Sequence, residues 1–67
     1  MEIYEATLQE LTDAIGVVTP IKVIIKGNLG TVLGKNDRFL FSSSGLQCVE
    51  FVKTFLNGML RGLESAS

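Results

Sequence analysis

The segment from Pro20 to Ser42 constrains the fold most strongly, because it alternates β-branched and aromatic runs with turn signals. Residues 21–26 are rich in isoleucine and valine, which favour strands. Glycine and asparagine within 27–30, and again within 34–37, supply the chemistry of tight turns. The pattern predicts a three-stranded antiparallel meander over residues 20–42, or alternatively one long hairpin with a bulge.

Side chains alternate between the two faces of a strand, so the same segment predicts what each sheet face presents. The face expected to pack against helices consists of apolar side chains: Ile21, Val23, Ile25, Phe39 and Phe41. The opposite face is expected to combine an apolar centre with a basic rim: Ile24, Leu40, Lys22, Lys26 and Arg38. We therefore predict an interaction surface on this second face.

An amphipathic helix is predicted over residues 2–15, where apolar residues recur at helical spacing within an arc of about 140°. Glu2 and Glu5 fall in its first turn, where the helix dipole favours negative charge. Gly16 is well placed to end this helix in a left-handed conformation.

A second amphipathic helix is predicted over residues 45–62. Ser44 and Gln47 have the spacing of a capping box at its start. Its apolar residues cover about half of the helical circumference, which is more than one small sheet face can bury. These residues are Leu46, Cys48, Val49, Phe51, Val52, Phe55, Leu56, Met59, Leu60 and Leu63. Residues 64–67 are predicted to be a frayed tail.

Together these elements predict a single α+β domain over residues 1–67, in the order α-β-β-β-α, with both helices on one face of the sheet. A chain of this length buries only about 60% of its unfolded surface, so its stability is marginal. Its single cysteine excludes an internal disulfide, and the absence of histidine leaves almost no ligand set for zinc. Oligomerisation is the remaining way to secure so small a fold.

We therefore expect a homodimer or a higher oligomer. A helix-mediated interface would be lined by Phe51, Phe55, Met59 and Leu63. A sheet-mediated interface would instead be centred on Ile24 and Leu40.

Two glycine-containing motifs resemble ligand-binding loops only superficially. The segment from Gly30 to Asn36 has three residues between its glycines where a phosphate loop has four, and Asn36 stands where that loop has serine or threonine. Gly27-Asn28-Leu29-Gly30 matches the loop that clamps a nucleic-acid backbone in KH domains, but that loop joins two helices. Both motifs are better explained as turns, because tight turns favour glycine.

The remaining candidates for chemistry also have structural explanations. The serines at 42–44 favour helix capping over an anion site, and a serine nucleophile would have no histidine as its base. Cys48 lies on the apolar side of the second helix and is predicted to be structural, with a reactive or interface thiol as the alternative. Gly58 and Gly62, four residues apart, indicate either a close helix crossing or fraying of the helix.

Charge is distributed unevenly along the chain. Residues 1–15 carry four acids and no base, whereas residues 20–42 carry four bases and one acid. The acids of the first helix are predicted to form a solvated face, or alternatively a docking surface: Glu2, Glu5, Glu10 and Asp13. The net charge of −1 supplies no overall attraction for nucleic acid.

The sequence predicts a small, non-enzymatic protein-interaction module without cofactor or metal. It would act as a regulator, adaptor or inhibitor, binding to itself and to another protein. The alternative is a nucleic-acid-binding dimer that uses the basic sheet face. A third hypothesis is an enzyme whose site forms between subunits, with a contribution from Lys22, Lys35 or Cys48. A cytoplasmic location without membrane contact is expected, because neither a signal peptide nor a sufficiently long apolar run is recognised.

Overall fold

A computed structural model describes residues 7–66, which form two helices and one sheet. The elements are α1 (Leu8–Gly16), β1 (Lys22–Lys26), β2 (Leu29–Leu33), a 3₁₀ turn (Lys35–Asp37), β3 (Phe39–Ser44) and α2 (Cys48–Ala66). The strands form an antiparallel meander in the order β1-β2-β3, and the helices pack on the sheet. The predicted α+β class and the order α-β-β-β-α are therefore confirmed.

Helix α1 begins after Thr7, whose backbone is extended and whose Oγ1 accepts a hydrogen bond from the N–H of Glu10 at 3.2 Å. Threonine favours this capping position because its oxygen satisfies an otherwise unpaired N–H group of the first turn. The prediction of one continuous helix over 2–15 is therefore wrong at Thr7. The predicted first turn with Glu2 and Glu5 lies outside the described residues. Thr7 and Glu10 have the spacing of a capping box, which is the local sequence signal for a helix that begins here.

The end of α1 also differs from expectation. The described glycines with positive φ are Gly27 and Gly45, so the predicted left-handed conformation of Gly16 is wrong. The chain instead continues in right-handed geometry at Val17. The N–H groups of Val18 and Thr19 both donate to the carbonyl of Ile15 at 2.9 Å, which closes the helix without a left-handed residue.

The β2–β3 pairing contains a bulge that changes which residues of β3 face the helices. Val32 pairs with Phe41, and Leu33 pairs with Phe39, so that Leu40 is the extra residue. A bulge interrupts the alternation of side chains along a strand. Leu40 therefore packs against the core, whereas Phe39 is 61% exposed. The predictions that Phe39 faces the helices and that Leu40 lies on the opposite face are both wrong.

The core lies between the sheet and the two helices. Its buried members are Leu11, Ile15, Val32, Val52, Leu56 and Leu60. Phe41 of β3 stacks on Phe55 of α2, with ring centroids 4.7 Å apart. The backbone of α2 comes close to Gly30, where a built Cβ would lie 3.7 Å from the carbonyl oxygen of Cys48. Glycine at this position thus lets the helix approach the sheet.

Helix α2 begins later and ends later than predicted. Ser44 is paired with Leu29 in the sheet, so it does not cap the helix as expected, and the helix begins at Cys48. At the other end, the helix passes through Gly62 and continues to Ala66. Leu63 packs against the core, which holds this last part of α2 in place. The helix therefore extends into the segment that was predicted to be a frayed tail.

Candidate interaction surface

The sheet face that points away from the core is not covered by either of the described helices. Gly30 and Val32 are buried toward α2, so the residues that alternate with them point the other way. Three rows of paired residues cross this face from β1 to β3: Lys22–Leu33–Phe39, Ile24–Thr31–Ser42 and Lys26–Leu29–Ser44. We call these nine residues the outer sheet face. None of them is buried.

The outer sheet face has apolar side chains on all three strands. Ile24 and Leu33 are half-buried by their neighbours, whereas Leu29 is 48% and Phe39 61% exposed. Leu33 pairs with Phe39, and Ile24 is the diagonal neighbour of both Leu33 and Leu29. Apolar residues grouped in this way, rather than scattered singly, are typical of interaction surfaces. This arrangement identifies the outer sheet face as the candidate site.

The charges and hydroxyl groups of the outer sheet face lie on opposite edges. Both lysines are on β1, while Ser42 and Ser44 are on β3. The Nζ atom of Lys22 lies 3.3 Å from Oδ1 of Asp37, a carboxylate in the 3₁₀ turn. Among the residues that the structure describes, Lys26 forms no ion pair. One edge of the face is therefore basic, and the other is uncharged, with Phe39 on the same strand as the two serines.

The structure places the predicted sheet residues in two different locations. Ile24, Lys22 and Lys26 lie together on the outer sheet face, as the alternation in β1 indicated. Leu40 and Arg38 instead line a cleft at the end of the sheet where β3 begins. Two of the three predicted cations thus share a face with Ile24, but Thr31 occupies the centre of that face and Leu29, Leu33 and Phe39 lie around it.

The predicted helix-mediated surface is largely occupied by contacts within the chain. Phe55, Met59 and Leu63 are partly buried against the core. Phe51 is 49% exposed. A built Cβ on Gly58 or Gly62 would meet no atom within 4 Å, so the surface beside Phe51 is open.

The other sequence motifs lie in structural positions. Gly27 and Asn28 form the two-residue connection between β1 and β2, and Gly27 has the positive φ of 57° that tight hairpins require. Cys48 is a free thiol with 1% exposure, packed at the start of α2. The serines at 42–44 belong to β3.

Comparisons with models of known protein families, with curated proteins and with solved structures find no match to this chain. Over the described residues, no helix is both long enough and apolar enough to cross a membrane. The same part of the chain contains no group of three or more histidine, cysteine or acidic side chains placed to hold a metal ion. A functional conclusion therefore depends on the surfaces described above.

Proposed function

We propose that this chain is a small, non-enzymatic protein-interaction module that docks through its outer sheet face and works as a homodimer. The observation that supports this proposal is the contiguous apolar area formed by Ile24, Leu29, Leu33 and Phe39 on a face without a helix layer among residues 7–66. Sheets with one apolar face are commonly stabilised by packing that face against another layer. A regulator, adaptor or inhibitor that acts by surface docking would use such a face. A cytoplasmic location is part of the proposal, and the free thiol of Cys48 is compatible with a reducing compartment.

The charge pattern of the outer sheet face favours a second copy of the chain as its partner. A two-fold axis parallel to the strands would place β1 of one protomer over β3 of the other. Because rotation about this axis keeps each row at the same height along the strands, Lys26 would face the hydroxyl group of the partner's Ser44 and Lys22 would face the ring of the partner's Phe39, rather than the partner's lysines. Burying the apolar residues between two sheets would contribute about 25 cal/mol for each Å² removed from water.

Light scattering over a range of protein concentrations tests the proposal. We expect a dimer for the unmodified chain and a shift toward monomer for Phe39→Glu, because a carboxylate would be buried in the apolar part of the interface. Leu46→Glu is the matched control, since Leu46 is 90% exposed and lies outside the sheet. Equal dimerisation of both folded variants, or a monomeric unmodified chain at all concentrations, would contradict the proposal.

A single-stranded nucleic acid is the second candidate partner, and the position of Phe39 favours it. The bulge places this exposed aromatic ring on the same face as Lys22 and Lys26. Base stacking on an aromatic side chain, combined with backbone contacts from cations, is the common mode of single-strand binding.

The nucleic-acid hypothesis predicts binding that weakens steeply as salt rises, because cations on the protein displace counterions from the phosphates. Phe39→Ala should weaken the binding of a short single-stranded DNA by about 1 kcal/mol or more. Phe51→Ala is the matched control, because Phe51 is a similarly exposed ring on α2. Fluorescence anisotropy measures both effects, and binding that is equally sensitive to both substitutions would exclude the outer sheet face as the nucleic-acid site.

A further inference from the structure

A cleft of about 480 Å³ lies at the end of the molecule where the 3₁₀ turn meets the chain after α1 and the middle of α2. Leu40 and Met59 line it as apolar residues, while Thr19 and Asn36 contribute a hydroxyl and an amide. Its volume falls within the range of roughly 300–1,000 Å³ that is usual for small-molecule sites. Leu40 reaches this position only because of the bulge in β3.

The charged side chains of the cleft are both cationic. Lys35 and Arg38 line it, and no carboxylate among the described residues does. Within residues 7–66 neither cation takes part in an ion pair. The nearby carboxylate of Asp37 is engaged by Lys22 at 3.3 Å and does not line the cleft. The cleft therefore has two positive charges without a partner from the described chain.

The turn that presents these cations is fixed in an unusual backbone conformation. Asn36 and Asp37 both have a φ of 60°, which non-glycine residues adopt infrequently. The N–H of Gly34 donates to the carbonyl of Arg38 at 2.7 Å, and the N–H of Asp37 donates to the carbonyl of Gly34 at 3.1 Å. These bonds close the turn and hold Lys35 and Arg38 on the same cleft. Positive φ at two successive residues is the geometry of tight hairpin turns, which asparagine and aspartate adopt more readily than other non-glycine residues.

We propose that this cleft binds a carboxylate attached to a compact apolar body. The guanidinium of Arg38 would bind the carboxylate with two parallel hydrogen bonds, a geometry that arginine favours, and Lys35 would add a second positive charge. Leu40 and Met59 would contact the apolar body. Two sources share this chemistry: a free alkyl carboxylic acid, and the C-terminal residue of a peptide. The site is separate from the outer sheet face, so this proposal does not depend on the proposed docking function.

The test is a titration of the ¹⁵N-labelled full chain with each ligand. The amide resonances of residues 34–38 monitor the binding. Octanoate represents the free acid, N-acetyl-leucine represents the peptide terminus, and N-acetyl-leucinamide lacks the charge. We expect saturable shifts of the amide resonances of residues 34–38 with at least one of the two carboxylates. If N-acetyl-leucine binds, N-acetyl-leucinamide should bind at least about tenfold more weakly. Tighter binding of octanoate would identify a free acid as the source, and tighter binding of N-acetyl-leucine a peptide terminus.

Substitutions then assign the binding to the two cations. Lys35→Gln and Arg38→Gln should each weaken binding about tenfold, and both residues are exposed, so the fold should persist. Lys26→Gln is the matched control, because it removes one positive charge from the outer sheet face, and it should leave the affinity unchanged. The proposal is overturned if neither carboxylate at millimolar concentration shifts the amide resonances of residues 34–38. It is also overturned if N-acetyl-leucine and its amide bind equally well, or if the Lys35 and Arg38 variants bind as tightly as Lys26→Gln.

Discussion

Gly30→Ala tests how closely α2 packs on the sheet. A methyl group built at this position would lie 2.8 Å from Cγ2 of Val52 and 3.1 Å from Cδ1 of Ile25. Val52 is fully buried and β-branched, so it cannot rotate away easily. Overpacking of this kind costs about 1–3 kcal/mol. The smaller entropy of an unfolded chain with alanine offsets about 0.4–1 kcal/mol of that cost.

We therefore expect Gly30→Ala to lower the free energy of unfolding by about 1–2 kcal/mol. In a domain of this size that corresponds to a fall in Tm of roughly 4–16 °C. Gly58→Ala is the matched control, because its Cβ would meet no atom within 4 Å. It should raise the stability by about 0.5–1 kcal/mol, since glycine is unfavourable inside a helix.

Thermal and urea unfolding followed by circular dichroism measure both effects, with all variants at one protein concentration so that self-association does not alter the comparison. A Tm for Gly30→Ala equal to or above that of the unmodified chain would refute the close approach of α2 to β2. A loss of stability in both variants would instead indicate that glycine is required at each position for a reason other than the contact with Val52.

Three further predictions follow from the described contacts. At a protein concentration low enough for the chain to be monomeric, Leu40→Ala should lower the free energy of unfolding by about 2 kcal/mol and Phe39→Ala by less than about 1 kcal/mol. Urea unfolding that shows the reverse order would contradict the bulge. Thr7→Ala should cost about 1 kcal/mol in the same assay, and an unchanged midpoint would refute the cap on Glu10. Cys48 should react slowly with a thiol reagent in buffer and rapidly in denaturant, whereas equal rates would contradict its burial.

The order of elements was predictable because each has a local signal in the sequence. The alternation in β1, the turn glycines and the wide apolar stripe of α2 report side-chain periodicity and backbone preference. These signals need no knowledge of the tertiary structure. They were sufficient for the α-β-β-β-α order and for placing Ile24, Lys22 and Lys26 on one face.

The start of α1 at Thr7 has a local signal, whereas several other inaccurate assignments depended on contacts that are distant in sequence. The positions of Phe39 and Leu40 are set by the pairing of β3 with Val32 and Leu33, and one extra residue in that pairing reverses the pattern of exposure. Likewise, α2 continues past Gly62 because Leu63 has a core to pack against. The cleft of Lys35 and Arg38 could not be predicted either, because it joins segments that meet only in the folded chain.

The central claim, that two copies dock through the outer sheet face, is tested most directly by isotope-filtered NMR on a mixture of labelled and unlabelled chains. Only contacts between protomers give signals in this experiment. We predict nuclear Overhauser effects that connect the methyl groups of Leu33 and Ile24 with the ring of the partner's Phe39. Contacts between protomers that involve Phe51 and the surface of α2, with none from the outer sheet face, would contradict the claim.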